Sequence, residues 1–61
     1  MNEEQYAVSY WWKPEEEEFW KYVEEVVSVP IGTSEKDNHE KAGQVILERH
    51  PKARLVSITY I

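Results

Sequence analysis

The sequence has 61 residues, of which 12 are acidic and 7 basic, giving a formal net charge of −5, and it contains no cysteine. That length fits one domain, residues 1–61, with no room for a second, and the lack of cysteine excludes disulfides and thiolate metal sites. The acidic balance argues against binding duplex nucleic acid by phosphate neutralisation. It suits a protein that docks on a basic surface, such as one that holds nucleic acid.

A domain of this size buries only about 60% of the surface its unfolded chain exposes. Its main resource is aromatic: Tyr6, Tyr10, Trp11, Trp12, Phe19, Trp20, Tyr22 and Tyr60, rings that bury roughly 150–250 Å² each. No apolar run approaches the ~20 residues of a membrane span. The start, Met1-Asn2-Glu3-Glu4, is acidic where a signal peptide would be basic. The expectation is a soluble cytoplasmic protein.

Along the chain, Tyr6, Val8, Tyr10 and Trp12 alternate with Ala7, Ser9 and Trp11, which predicts a strand. Residues 10–20, YWWKPEEEEFW, then allow two readings. Apolar Phe19, Trp20, Tyr22, Val23, Val26 and Val27 oppose Lys21, Glu24, Glu25 and Ser28 with helical periodicity, and Pro14 followed by glutamates suits a helix start. The same residues are strand formers, rich in Val and aromatics. A helix there gives β-α-α-β with only two strands, whereas an independently stable sheet needs three or more. The composition therefore favours a hairpin with its tip at Glu15–Glu18. A bulge at Glu24-Glu25 reconciles it with the pattern, setting Trp20, Tyr22, Val27, Val29 and Ile31 on one face and Phe19, Lys21, Val23 and Val26 on the other.

Asp37 with Glu40, or Ser34 with Asp37 one turn earlier, marks a helix start. Ala42, Val45, Ile46 and Leu47 form its expected inner face, and Gly43 within it suggests close approach to a sheet. His50-Pro51 ends the helix, with His50 placed to interact with its C-terminal dipole. Arg54–Ile61 alternate as a final strand. The predicted fold is α+β, β-β-α-β, a three-stranded antiparallel sheet with one helix on one face; the alternative is β-α-α-β.

With these elements placed, the chain from Phe19-Trp20 onward resembles the small phage-encoded inhibitors of bacterial RNA polymerase found in T-odd coliphages. The matching features are Phe19-Trp20, Val29-Pro30-Ile31, the Thr33-Ser34 cap, a helix carrying Ala42, and Ala53-Arg54-Leu55-Val56-Ser57 in the last strand. The resemblance implies a β-β-α-β fold and inhibition by contact with the polymerase near its DNA channel. In that family the last strand carries arginines that grip the polymerase. The corresponding positions here are Ile58 and Tyr60, with Arg54 earlier on the strand.

Among functional classes, catalysis has little support. His39 and His50 lack the spacing of a helical zinc pair, and Ser9, Ser28, Ser34 and Ser57 lack a glycine elbow. No metal or cofactor is expected. An aromatic sheet face can stack single-stranded bases, but such faces carry Lys and Arg along the backbone path, and basic residues are few here. The favoured reading is protein contact, either capture of a host protein or a face-to-face homodimer. Tyr10, Trp12, Trp20 and Tyr22 are the expected anchors, Glu15, Glu16, Glu17, Glu18 and Glu24 the electrostatic guides, and Arg54 a further contact. The glutamate run is also explained as a solvated tip that keeps the chain soluble.

Overall fold

A computed structural model describes residues 2–61 of the chain. Strand β1 (Glu3–Trp12) leads through a tip to strand β2 (Lys21–Pro30), then helix α1 (Glu35–Arg49) and strand β3 (Arg54–Tyr60). The sheet is antiparallel with order β2-β1-β3, so the first strand is central and the helix lies on one face. This is the β-β-α-β arrangement read from the sequence.

The helical periodicity of residues 18–28 is overruled by pairing. Every residue of β2 has a partner on β1, from Glu3↔Pro30 without interruption to Trp12↔Lys21. The tip closes with a turn in which the Glu17 N–H donates to the Pro14 carbonyl at 3.0 Å. Phe19 and Trp20, expected in the strand, belong to the tip segment.

The expected bulge at Glu24-Glu25 is absent. The register instead shifts between β1 and β3, where Ser9 pairs Ser57 and Tyr10 pairs Leu55, leaving Val56 as the extra residue. The uninterrupted hairpin corrects the expected faces of β2. Lys21, Val23, Glu25, Val27 and Val29 lie opposite Trp12, Tyr10, Val8, Tyr6 and Glu4 on the helix side, and Tyr22, Glu24, Val26 and Ser28 point the other way. A bulge is unnecessary because the inward Glu25 is satisfied: its Oε1 accepts from the Tyr10 hydroxyl at 2.7 Å and from Arg49 at 2.8 Å.

The core is formed by Tyr6, Val8 and Tyr10 of β1, Val27 and Val29 of β2, and Ala42 and Ile46 of α1. Val45 packs at its margin, whereas Leu47, expected inside, is 37% exposed. Of the two rival helix starts, Ser34 is the N-cap, its Oγ accepting from the Asp37 N–H at 3.2 Å. Asn38, buried in the first turns, fixes the preceding loop by accepting from the Gly32 N–H at 2.6 Å. His50 closes the helix, donating its N–H to the Ile46 carbonyl at 2.8 Å. Gly43 is a close-approach position, as expected. A Cβ there would lie 3.0 Å from Leu55 Cδ1 and 3.2 Å from Ile58 Cδ1, so the lack of a side chain lets α1 settle on β3.

Candidate protein-interaction face

The helix covers one face of the sheet and leaves the other open. Along the middle of the open face the side chains are small: Ala7, Ser9, Ser57 and Thr59. Ser9 is buried there, and its Oγ lies 2.6 Å from Ser57 Oγ in a hydrogen bond that ties the central strand to β3. At the tip end the face rises into rings. Trp11 pairs with Tyr22 on one side, their centroids 5.1 Å apart at 56°, and with Arg54 on the other. The Arg54 guanidinium sits 5.1 Å from the centroid of the Trp20 ring, a cation–π contact. The row Tyr22–Trp11–Arg54 thus crosses all three strands, and Trp20 of the tip extends the layer from Arg54. Its rings remain 41–46% exposed, and Val26 further along β2 is 55% exposed.

The acidic residues flank this layer. Glu24 is exposed on the open face of β2, and Glu15, Glu16, Glu17 and Glu18 are all exposed in the tip. Among the described residues only Glu17 of these four is in an ion pair, with Lys21 at 2.9 Å. The remaining carboxylates are free to act at a distance.

Of the expected anchors, the structure brings Trp20, Tyr22 and Arg54 together and places Tyr10 and Trp12 elsewhere. Tyr10 is 2% exposed under the helix. Trp12 lies on the same side, stacked on His50 with centroids 4.0 Å apart and planes at 26°. The reason is strand alternation: Tyr10 and Trp12 share the phase of Tyr6 and Val8, the bulky row that the helix covers. Trp11, missed as an anchor, has the opposite phase. The signal was present in β1, where the row of Tyr6, Val8 and Tyr10 is heavier than that of Ala7 and Ser9 and so forms the core.

Trp12 and Trp20 also border a cleft of about 430 Å³ between the tip and the turn after α1, with Lys13, Pro14, His50 and Pro51 among its walls. His39, at the other end of α1, packs edge-on against Tyr6 at 5.0 Å. Among the described residues no three His, Cys, Asp or Glu side chains form a metal-binding group.

The Tyr10–Glu25–Arg49 cluster joins a buried phenol to a partly buried carboxylate and a half-exposed guanidinium. Burial alone raises the Glu25 pKa, but hydrogen bonds from Tyr10 and Arg49 and the nearby charges of Arg49 and His50 outweigh it, and the net shift is downward. The Tyr10 phenol is raised, by burial first and then by the Glu25 carboxylate. A lowered native pKa means that ionised Glu25 favours the folded state above its unfolded pKa, near 4.5, and that this contribution is lost as pH falls through the native value. Glu25→Gln is therefore expected to lower the unfolding midpoint at pH 7. The difference from wild type should shrink in acid and vanish below the native pKa. Chemical denaturation across pH 2–7 checks this, and a difference independent of pH would remove Glu25 ionisation from the account.

No protein-family model matches the chain, and comparisons with curated proteins and with solved structures return no match. Among the described residues no helix is long and apolar enough to cross a membrane.

Proposed function

We propose that this chain is a small non-catalytic protein-binding module that inhibits or redirects a protein acting on nucleic acid by occupying part of its surface. One observation carries the reading: the Tyr22–Trp11–Arg54–Trp20 layer stands exposed on a sheet face that no element of the chain covers. Trp, Tyr and Arg are the residues that dominate binding energy at protein interfaces. A contiguous exposed apolar patch on a small soluble domain marks a contact site.

The charge pattern selects the kind of partner. Tip glutamates and Glu24 beside the rings favour a basic surface, speed its encounter and disfavour acidic ones. Basic surfaces of this kind are found on proteins that hold nucleic acid. Bacterial RNA polymerase, the target implied by the resemblance of the chain from Phe19-Trp20 onward, is the first candidate, with the chain acting as a phage-type inhibitor. Base stacking on the same rings is opposed by the same charges: Glu24 and the tip repel the phosphates that a single strand brings.

The experiment titrates the protein against purified bacterial RNA polymerase and, separately, against a labelled single-stranded oligonucleotide. Binding to the polymerase that weakens with added salt, together with reduced transcription, is the expected result. A shifted oligonucleotide at about 50 mM salt without polymerase binding would reassign the face to nucleic acid.

A further inference from the structure

The two edges of the sheet are built differently. β2 carries Lys21, Glu24 and Glu25 and ends in Pro30. Charged side chains and proline are what proteins use to stop a free edge from pairing. β3 carries one charge, Arg54, at its first residue, and the bulge at Val56 follows. Beyond that bulge, Ser57–Ile61 run without a charged side chain or a proline.

The free backbone groups on this edge can be assigned. The Ile61 N–H donates to the Gln5 carbonyl at 3.1 Å, toward β1. Antiparallel ladders alternate, so the groups of Thr59 and Ser57 also face β1, and the N–H and C=O of Ile58 and Tyr60 face outward. Beside this edge, on the helix side, lies a groove of about 360 Å³ walled by Gly43, Leu47, Leu55 and Ile58. Tyr60, on the same side of the sheet, is 60% exposed.

We infer that the β3 edge is a self-pairing interface, joining two copies of the chain antiparallel, β3 to β3, about a two-fold axis at Thr59. In that register Ile58 of each copy faces Tyr60 of the other, and each such pair exchanges both of its outward N–H···O bonds. Each Tyr60 ring then lies against the other copy's Ile58–Leu55–Leu47 groove. The edge is self-complementary: no charged side chain falls within the paired residues, and an isologous contact needs one patch that fits itself. Charge favours the antiparallel sense as well. β3 starts at the tip end, since Arg54 pairs Trp11, so two-fold pairing sends the two Glu15–Glu18 tips to opposite ends of the joined sheet. Edge-to-edge pairing covers neither open face, so the dimer displays two copies of the aromatic layer.

The exposed Thr59 gives the test, because in this register it faces its own copy in a non-hydrogen-bonded pair, where side chains are closest. Like charges placed directly opposite are destabilising, and opposite charges attract. Sedimentation equilibrium from micromolar to millimolar concentration is expected to show wild type at twice the 7.3 kDa chain mass. Thr59→Lys and Thr59→Glu, each alone, should halve that mass while keeping the wild-type circular dichroism. An equimolar mixture of the two should recover the doubled mass at low salt and lose it as salt is added. Hydrogen exchange on wild type supplies a readout that needs no variant. The Ile58 and Tyr60 amides should exchange slowly at high concentration and rapidly on dilution. The outward Val26 and Ser28 amides of β2 should exchange rapidly at every concentration. Wild type at single-chain mass throughout, charged variants as dimeric as wild type, or Ile58 and Tyr60 amides indifferent to dilution would each overturn the interface.

Discussion

Ile46→Ala is expected to remove about 2–5 kcal/mol of stability, the usual range for truncating a buried isoleucine. Ile46 is 0% exposed and, with Ala42, supplies the apolar contribution of α1 to the fully buried core. A domain of this size has a total stability of about 3–9 kcal/mol, at roughly 0.05–0.15 kcal/mol per residue. The substitution therefore consumes much of the margin. It should lower Tm by about 8–40 °C, given about 4–8 °C per kcal/mol in small domains. Glu48→Ala, two residues further along α1 and exposed, is the control, and its effect should stay within about 0.5 kcal/mol. Thermal unfolding of both variants checks the contrast. Equal losses would mean that the helix does not dock through Ala42 and Ile46.

The second large effect is on binding rather than folding. Trp11→Ala and Tyr22→Ala each break one exposed cross-strand pair, worth about 0.2–1 kcal/mol of stability. At the centre of an interface, truncating such a residue removes about 2–4 kcal/mol of binding, a loss of about 30-fold or more at 1.4 kcal/mol per decade. A variant that loses no more than about 1 kcal/mol of stability but loses its partner separates contact from core. Trp12→Ala should show the reverse, because its ring stacks on His50 on the covered side.

Much of this architecture is legible in the chain itself. Ser34 as a cap, His50-Pro51 as a stop and the β-branched run from Arg54 act locally, and local signals are visible in sequence. Gly43 was legible too, as a residue kept for close packing. The segment from Phe19 to Ser28 was harder, because its apolar spacing matches a helix and only pairing with β1 makes it a strand. That pairing is a long-range fact that no window along the chain contains. The same limit explains the misplaced bulge. The bulge expected at Glu24-Glu25 puts Val23 and Val27 on opposite faces; without it Glu25 turns to the helix side with both, where Tyr10 and Arg49, 15 and 24 residues away, satisfy its carboxylate. Once the bulge is moved to Val56, the anchors sort by strand phase. Trp20, Tyr22 and Arg54 stay on the open face, Trp11 joins them, and Tyr10 and Trp12 pass to the covered side.

The open face also explains why four glutamates sit between two groups of rings. The tip is a turn that returns Trp20 to Arg54 and holds the carboxylates at the end of the aromatic layer. Replacing Glu15–Glu18 by glutamine should slow association and flatten its salt dependence while leaving dissociation nearly unchanged, the usual division of labour for rim charges.

The most direct test of contact through this face is comparative capture. Wild type, Trp11→Ala/Tyr22→Ala and Trp12→Ala are each immobilised and exposed to the same nuclease-treated bacterial lysate, and the retained proteins are identified by mass spectrometry. The expected result is a protein held by wild type, released by salt, retained by folded Trp12→Ala and absent from the double variant. Retention of the same proteins by wild type and the double variant alike would contradict the account.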